Sequence, residues 1–295
     1  MGVQIRKLVG LAAAAMVALS GCSKEAPLAG HSPRVALAEI SSYVALGDSY
    51  SSGPYIDPQQ KNAGPCLRST RNYASILAKD LKVDDFKDVT CAGASTIHIL
   101  HGVPSSFRNV VPAQVKAVND RTDLVTVGIG FNDEKVFGSL FGACLTSSKV
   151  DKRACRTYVD HTLPSVMSTV GDSVTGALTS VRRNAPHASV VLVGYLPVLT
   201  EPDACKSNLF TPGNERTAFQ AEQSLDTMLG NAAKRAGTEF LSMRVPAVGH
   251  GACAGSAAWV NGNAPAKGDG AIFHPRAVGM VAVAKAIEAL LRTHK

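Results

Sequence analysis

Aromatic side chains make up only 5% of this 295-residue chain, with a single tryptophan, so Ala, Val, Leu and Gly must carry its apolar core. Several signatures are missing altogether. No GxSxG elbow, HExxH pair, P-loop or GxGxxG turn occurs, which removes nucleophile-elbow hydrolases, zinc peptidases and the common nucleotide-binding folds. No cysteine pair has the CxxC spacing of a zinc site, and no metal is expected. The net charge of +7 is scattered rather than gathered into a basic stripe with aromatics, so nucleic acid is not an expected partner. Mild attraction to anionic envelope surfaces fits this balance better. There is no internal repeat and no shift of composition that would mark a second domain. At 45% hydrophobic residues, one large α/β domain can bury a sizeable core.

What is present begins with a targeting segment. Arg6 and Lys7 precede an apolar run from Leu8 to Leu19, too short for a comfortable permanent span and shaped like a secretory signal peptide over residues 1–21. The run ends in Leu19, Ser20, Gly21 and Cys22, which resembles a bacterial lipobox with Cys22 as the acylated residue. Removing Arg6 and Lys7 from the 30 basic side chains leaves 28 against 23 acidic ones. Residues 22–40, rich in Ala, Pro, Ser and Gly, read as a flexible tether, and 41–295 as the domain. Setting Cys22 aside leaves six of the seven cysteines, an even number that implies a disulfide framework in an exported chain. Six cysteines allow 15 pairings; sequence neighbours suggest Cys66 with Cys91, Cys144 with Cys155, and Cys205 with Cys253.

In the domain, apolar Tyr43 to Leu46 breaks abruptly into Gly47, Asp48 and Ser49, the pattern of a buried strand opening into a loop. Further strands are predicted at Phe86 to Thr90, Leu124 to Ile129, Ser189 to Gly194 and Phe240 to Met243. Helices are predicted at Asn72 to Leu81, Pro112 to Asn119, Tyr158 to Ala185, Glu215 to Ala236 and from Pro275 to about Thr293. This alternation argues for a parallel sheet with helices on both faces, a three-layer α/β/α arrangement.

In such sheets, sites form at the carboxyl ends of the strands. Ser49 follows the first strand, Gly93 the second and Asn132 the third, and His274 stands immediately before the last helix. Acyl transfer needs a nucleophile, a base within hydrogen-bond reach and donors aimed at the developing oxyanion. Ser49 supplies the first and His274 the second. The oxyanion hole is assigned to the backbone N–H groups of Ser49 and Gly93 and the side-chain amide of Asn132. This chemistry calls for no cofactor.

The blocks GDSYSSG, TCAGAS, GFND and IFHP together resemble the four blocks of the SGNH (GDSL-type) hydrolases, in the same order and at similar spacing, from about Ser42 to the last helix. The chain is most similar to the secreted actinobacterial lipases and esterases of that family, which also carry three disulfides. The resemblance implies a flavodoxin-like sheet of about five parallel strands, Ser49 as nucleophile, His274 as base, and Gly93 and Asn132 as oxyanion donors. One position departs from the pattern: three residues before the histidine, where the family commonly has aspartate, stands Ala271. A main-chain carbonyl of Ala271 or Ile272 is the expected orienter of His274, which makes a Ser-His dyad; Asp269 is the rival, with a solvated turn as its ordinary role. Pro275 suits the first helical position, whose positive end would help keep His274 neutral.

Other features have plainer readings. Gly171, Asp172 and Ser173 repeat the GDS triplet but follow no strand and suit a helix cap; His98 and His101 read as surface or loop residues. Asp48 and Asp133 read as turn and cap residues bracing the site, and Trp259 either lines the acyl pocket or covers the core. The expected activity is lipase or esterase hydrolysis through an acyl-enzyme on Ser49. Deacetylation or acyl transfer on envelope polysaccharide or lipid is the alternative, followed by a non-catalytic binding lipoprotein. The expected partners are an acyl ester and, through Cys22, a membrane outside the cytoplasm; the chain is expected to be a monomer.

Overall fold

The computed structural model describes residue 1 and residues 30–102, 111–145, 153–202, 205 and 209–294. Among these residues five strands form one sheet: β1 (Ser42–Gly47), β2 (Asp85–Asp88), β3 (Leu124–Gly128), β4 (Ser189–Val193) and β5 (Glu239–Leu241). Their order is β2-β1-β3-β4-β5 and every pairing is parallel, with Tyr43 opposite Leu124 and Leu124 opposite Ser189. The central strands β3 and β4 are buried at every position, as near-continuous apolar runs covered on both faces should be. Charged, partly exposed β2 forms one edge.

Among the described residues, eight α-helices connect and cover the sheet: α1 (Ser49–Ser52), α2 (Tyr73–Leu81), α3 (Thr96–Leu100), α4 (Val136–Cys144), α5 (Ala154–Thr157), α6 (Leu163–Asn184), α7 (Pro212–Ala236) and α8 (Ala277–Leu291). The crossover from β1 to β2 runs toward one edge, and those from β3 through β5 run toward the other. Right-handed connections therefore put α2 on one face and α6 and α7 on the opposite face, with α8 packed beside α2. Disulfides join Cys66 to Cys91, Cys144 to Cys155 and Cys205 to Cys253. The signal segment, Cys22 and residues up to 29 lie outside the described residues.

Three expectations need correction. Residues 112–119 form only a 3-10 turn, Gln114–Ala117. Its buried Gln114 side chain accepts from Gly47 N at 2.8 Å and donates to Gly47 O at 3.0 Å, so the segment clamps the end of β1 instead of continuing as a helix. The second correction concerns the tether: residues 30–40 are docked. Ser32 N donates to Gly237 O at 2.6 Å and Val35 N to Ser189 Oγ at 2.7 Å, while Arg34 pairs with Glu239 at 3.0 Å. Buried His294 faces the Val35 carbonyl at 3.1 Å and Glu239 at 2.7 Å, and Ile40 enters the core. Third, the last helix starts at Ala277 with Arg276 as its cap residue, so Pro275 lies outside the first turn.

Candidate active site

The nucleophile candidate is positioned by the way β1 ends. A Cβ on Gly47 would stand 2.6 Å from the Gly128 carbonyl, so only glycine lets β1 and β3 close together here. The next residue, Asp48, caps α1 by accepting from Tyr50 N at 2.9 Å. Ser49 is thereby the first residue of a one-turn helix that Gly53 ends in a left-handed conformation, φ 72°.

Ser49 Oγ lies 2.8 Å from His274 Nε2, although the two are 225 residues apart. His274 Nδ1 lies 2.7 Å from the Ile272 carbonyl. A carbonyl only accepts, so Nδ1 carries the proton and Nε2 keeps its lone pair toward the serine hydroxyl. That is the tautomer a general base requires. Burial lowers the pKa of His274, and the bond to Ile272 opposes the shift. Desolvation thus favours the neutral ring.

The loop carrying the base is held from behind. Phe273 adopts a left-handed conformation, φ 53°, unusual for a bulky residue. Its carbonyl accepts from Tyr50 OH, and its ring stacks on Phe141 at 5.3 Å. Tyr50 and Phe137 flank the imidazole at 4.9 and 5.6 Å. Several of the sixteen aromatic residues are therefore gathered around one histidine. Asp269 points elsewhere: it accepts from Ala277 N and Arg276 Nε, each at 2.8 Å, and so caps α8. It is neither the orienter of His274 nor a solvated turn residue.

The donor candidates come from the ends of β2 and β3. Gly93 has φ 78° in the turn before α3, a backbone conformation that favours glycine although a Cβ would meet no neighbour there. Asn132 Nδ2 donates to the Ala94 carbonyl at 2.8 Å, which fixes the amide plane beside Gly93 and leaves its second N–H for a ligand. Asp133 accepts from Thr96 N at 3.0 Å and from its hydroxyl. The two turns are stitched together by these bonds.

One contributor was missed in the sequence. Tyr195, just after β4, donates its hydroxyl to Asp48 Oδ2 and accepts from Phe131 N at 3.0 Å. It thus links the cap of the nucleophile helix to the residue preceding Asn132. Burial pushes the carboxyl of Asp48 up to about 7, against the bonds from Tyr195 and Tyr50. A polar aromatic at a fourth strand end was the signal available. Beside the base, Tyr55, Gln59, Ala271 and Ile272 help line an open cleft of about 510 Å³, with Tyr55 58% and Ile272 52% exposed.

The remaining candidates fall away from this site. Gly171, Asp172 and Ser173 lie inside α6 rather than at a cap, and Asp172 pairs with Arg235 at 2.7 Å. His98 Nδ1 accepts from Ser95 N at 2.9 Å, closing a capping box, and His101 is the exposed C-cap of α3. Trp259 packs against the core, one of its two expected roles, and stacks on His250 at 4.1 Å. Among the described residues no group of three or more His, Cys, Asp or Glu is arranged to hold a metal ion.

Comparison with known proteins identifies the family. The chain is 31% identical to lipase 2 of Streptomyces coelicolor over 72% of both chains. It is 30% identical to a lipase of Streptomyces rimosus, over 84% of both. Its fold superposes on the crystal structure of phospholipase A1 from Streptomyces albidoflavus with a TM-score of 0.72 and 25% identity, covering 85% of this chain and 99% of that one. The profile of one family matches residues 45–282, and by that match this chain belongs to the GDSL-like lipase/acylhydrolase family.

Proposed function

We propose that the chain is an exported carboxylic ester hydrolase acting through an acyl-enzyme on Ser49. The observation that carries this reading is the 2.8 Å contact between Ser49 Oγ and His274 Nε2, with Nδ1 committed to Ile272. As Oγ attacks the ester carbonyl, its proton passes to Nε2. The carbonyl oxygen becomes an oxyanion that the N–H groups of Ser49 and Gly93 and the Asn132 amide stabilise. Collapse expels the alcohol, which takes the proton from His274. Water then repeats the sequence on the acyl-enzyme and releases the acid. Ile272 fills the orienting place that an aspartate takes in a full triad.

Fatty acyl esters are the proposed substrates. The relatives named as lipases and a phospholipase support that choice, and so does the cleft running past Ile272. Hydrolysis of p-nitrophenyl esters from acetyl to palmitoyl, with Ser49→Ala beside the parent, tests it. Longer chains should be cleaved by the parent and not by the variant, and a fluorophosphonate should label Ser49. Cleavage of acetate alone would move the substrate to small acyl groups on envelope polysaccharide. A folded protein that neither cleaves nor labels would be a binding protein.

The amino-terminal reading belongs to the same proposal: residues 1–21 direct export, Cys22 carries lipid, and the mature enzyme is a monomer. No helix among the described residues is long and apolar enough to cross a membrane. The proposed attachment is through Cys22, and Cys22→Ala should move the enzyme from the membrane fraction into the medium.

A further inference from the structure

The contacts of residues 30–42 fall on one side of the molecule. Ser32 bonds to Gly237 and Arg34 pairs with Glu239, just before and at the start of β5. Val35 bonds to Ser189, the first residue of β4. The N–H groups of Ser41 and Ser42 donate at 2.8 Å to Asp123, the residue before β3. In an all-parallel sheet these starting ends share one edge. Ser49, Gly93 and Asn132 lie past the finishing ends of β1, β2 and β3, on the opposite edge. Six-residue β1 alone separates the two edges by about 20 Å.

The length of chain between Cys22 and Ser32 turns this polarity into an orientation. These ten steps extend at most about 3.6 Å each, or about 36 Å in all. A domain of this size is about 45 Å across. Turning the catalytic mouth squarely onto the bilayer that holds Cys22 would lift Ser32 above it by the length of β1 and the loops at both ends of the sheet, so those ten steps would have to run almost fully extended.

Resting on the proposal that Cys22 is lipidated, we infer that the anchored enzyme presents its catalytic mouth away from the leaflet that holds it. Its substrates are then esters delivered from the aqueous phase or from the layer facing the mouth. The short docked entry segment acts as an orienting strut, and the basal chemistry does not depend on it.

Six cysteines are paired, so Cys22 is the single free thiol and can be coupled to maleimide lipid in vesicles without cellular processing. The mature chain from Cys22 on, so coupled, is given a dye through Tyr55→p-azidophenylalanine at the mouth or Arg121→p-azidophenylalanine in the exposed turn before β3. Energy transfer to acceptor lipids in the same bilayer reads the two heights. Transfer from position 121 should exceed that from position 55 by at least about twofold, given the molecular diameter. A Gly/Ser insertion of about 20 residues after Glu25 should abolish the difference. Equal or greater transfer from position 55 in the parent overturns the orientation. Palmitate labelling of Cys22 in cells tests the anchor separately: its failure removes the lipidation reading while the vesicle result still decides the geometry. Both dye positions work whether or not Ser49 reacts, so failure of the ester-hydrolase reading is distinguishable as well.

Discussion

Asn132 and Asp269 are both polar residues at the site, yet their hydrogen bonds assign them different work. Asn132 is fixed by Ala94 with one N–H to spare, so Asn132→Ala removes an oxyanion donor and leaves the fold's own bonds nearly whole. Its kcat should fall about 10²–10³-fold, with little change in melting temperature. Asp269→Ala should do the reverse. It loses the bonds to Ala277 and Arg276 and should cost about 0.5–2 kcal/mol of stability, as lost helix caps do. Activity per folded molecule should stay within a few-fold, because Ile272 still orients His274. A drop of thousands-fold would instead make Asp269 the acid of a triad. His274 itself sets the acid limb of activity. It works neutral and burial lowers its pKa, so kcat/KM should rise with pH through a midpoint below the ordinary 6.5.

At the scale of elements, the bridge between Cys66 and Cys91 ties the loop that follows the nucleophile to the turn that carries Gly93. Ala92 N also donates to the Cys66 carbonyl at 3.0 Å. Such a bridge contributes about 2–4 kcal/mol to the whole fold, but its first effect is local. On titration with a reductant, ester hydrolysis should be lost before the far-ultraviolet circular dichroism changes. Parallel loss would assign the bridge to global stability alone. The same scale shows what could be read in advance. The strand-end blocks at Ser49 and Asn132 were legible because an apolar run breaking into small polar residues is a local pattern, whereas Gly93, beyond charged β2, was legible through the resemblance of its TCAGAS block. Which carbonyl meets His274 was not, since the choice of Ile272 over Ala271 depends on the left-handed turn at Phe273. Tyr195 was hidden for another reason: its partner Asp48 lies 147 residues away. Residues 30–40 read as a tether because Val35, Leu37 and Ile40 are sparse and the partners of Arg34 and Val35 stand on β5, on β4 and in the turn after α8.

For the whole molecule, two carboxyls buried without a counter-charge in direct contact shape the response to pH. Burial raises Asp48 and Glu222 each to about 7. Each binds its proton more tightly folded than unfolded between the ordinary carboxylate range and about 7. Their contribution to stability is therefore greatest at low pH and is lost as pH rises through that window. His274 acts in the opposite sense, since its lowered pKa favours the folded state as pH rises. Melting temperatures across this window should fall less steeply for Asp48→Asn than for the parent. An identical slope would mean that Asp48 is ionised throughout.

The docked entry segment also bears on how the molecule comes into being. Val35 is held by Ser189 and His294, and Arg34 by Glu239. For a chain threaded through a membrane pore amino end first, residues 34 and 35 are among the earliest of the domain to emerge, while Glu239 and His294 follow only near the end. On the export proposed above, the starting ends of the sheet stay unsealed until those last partners arrive, and closure of this domain waits for the carboxyl end.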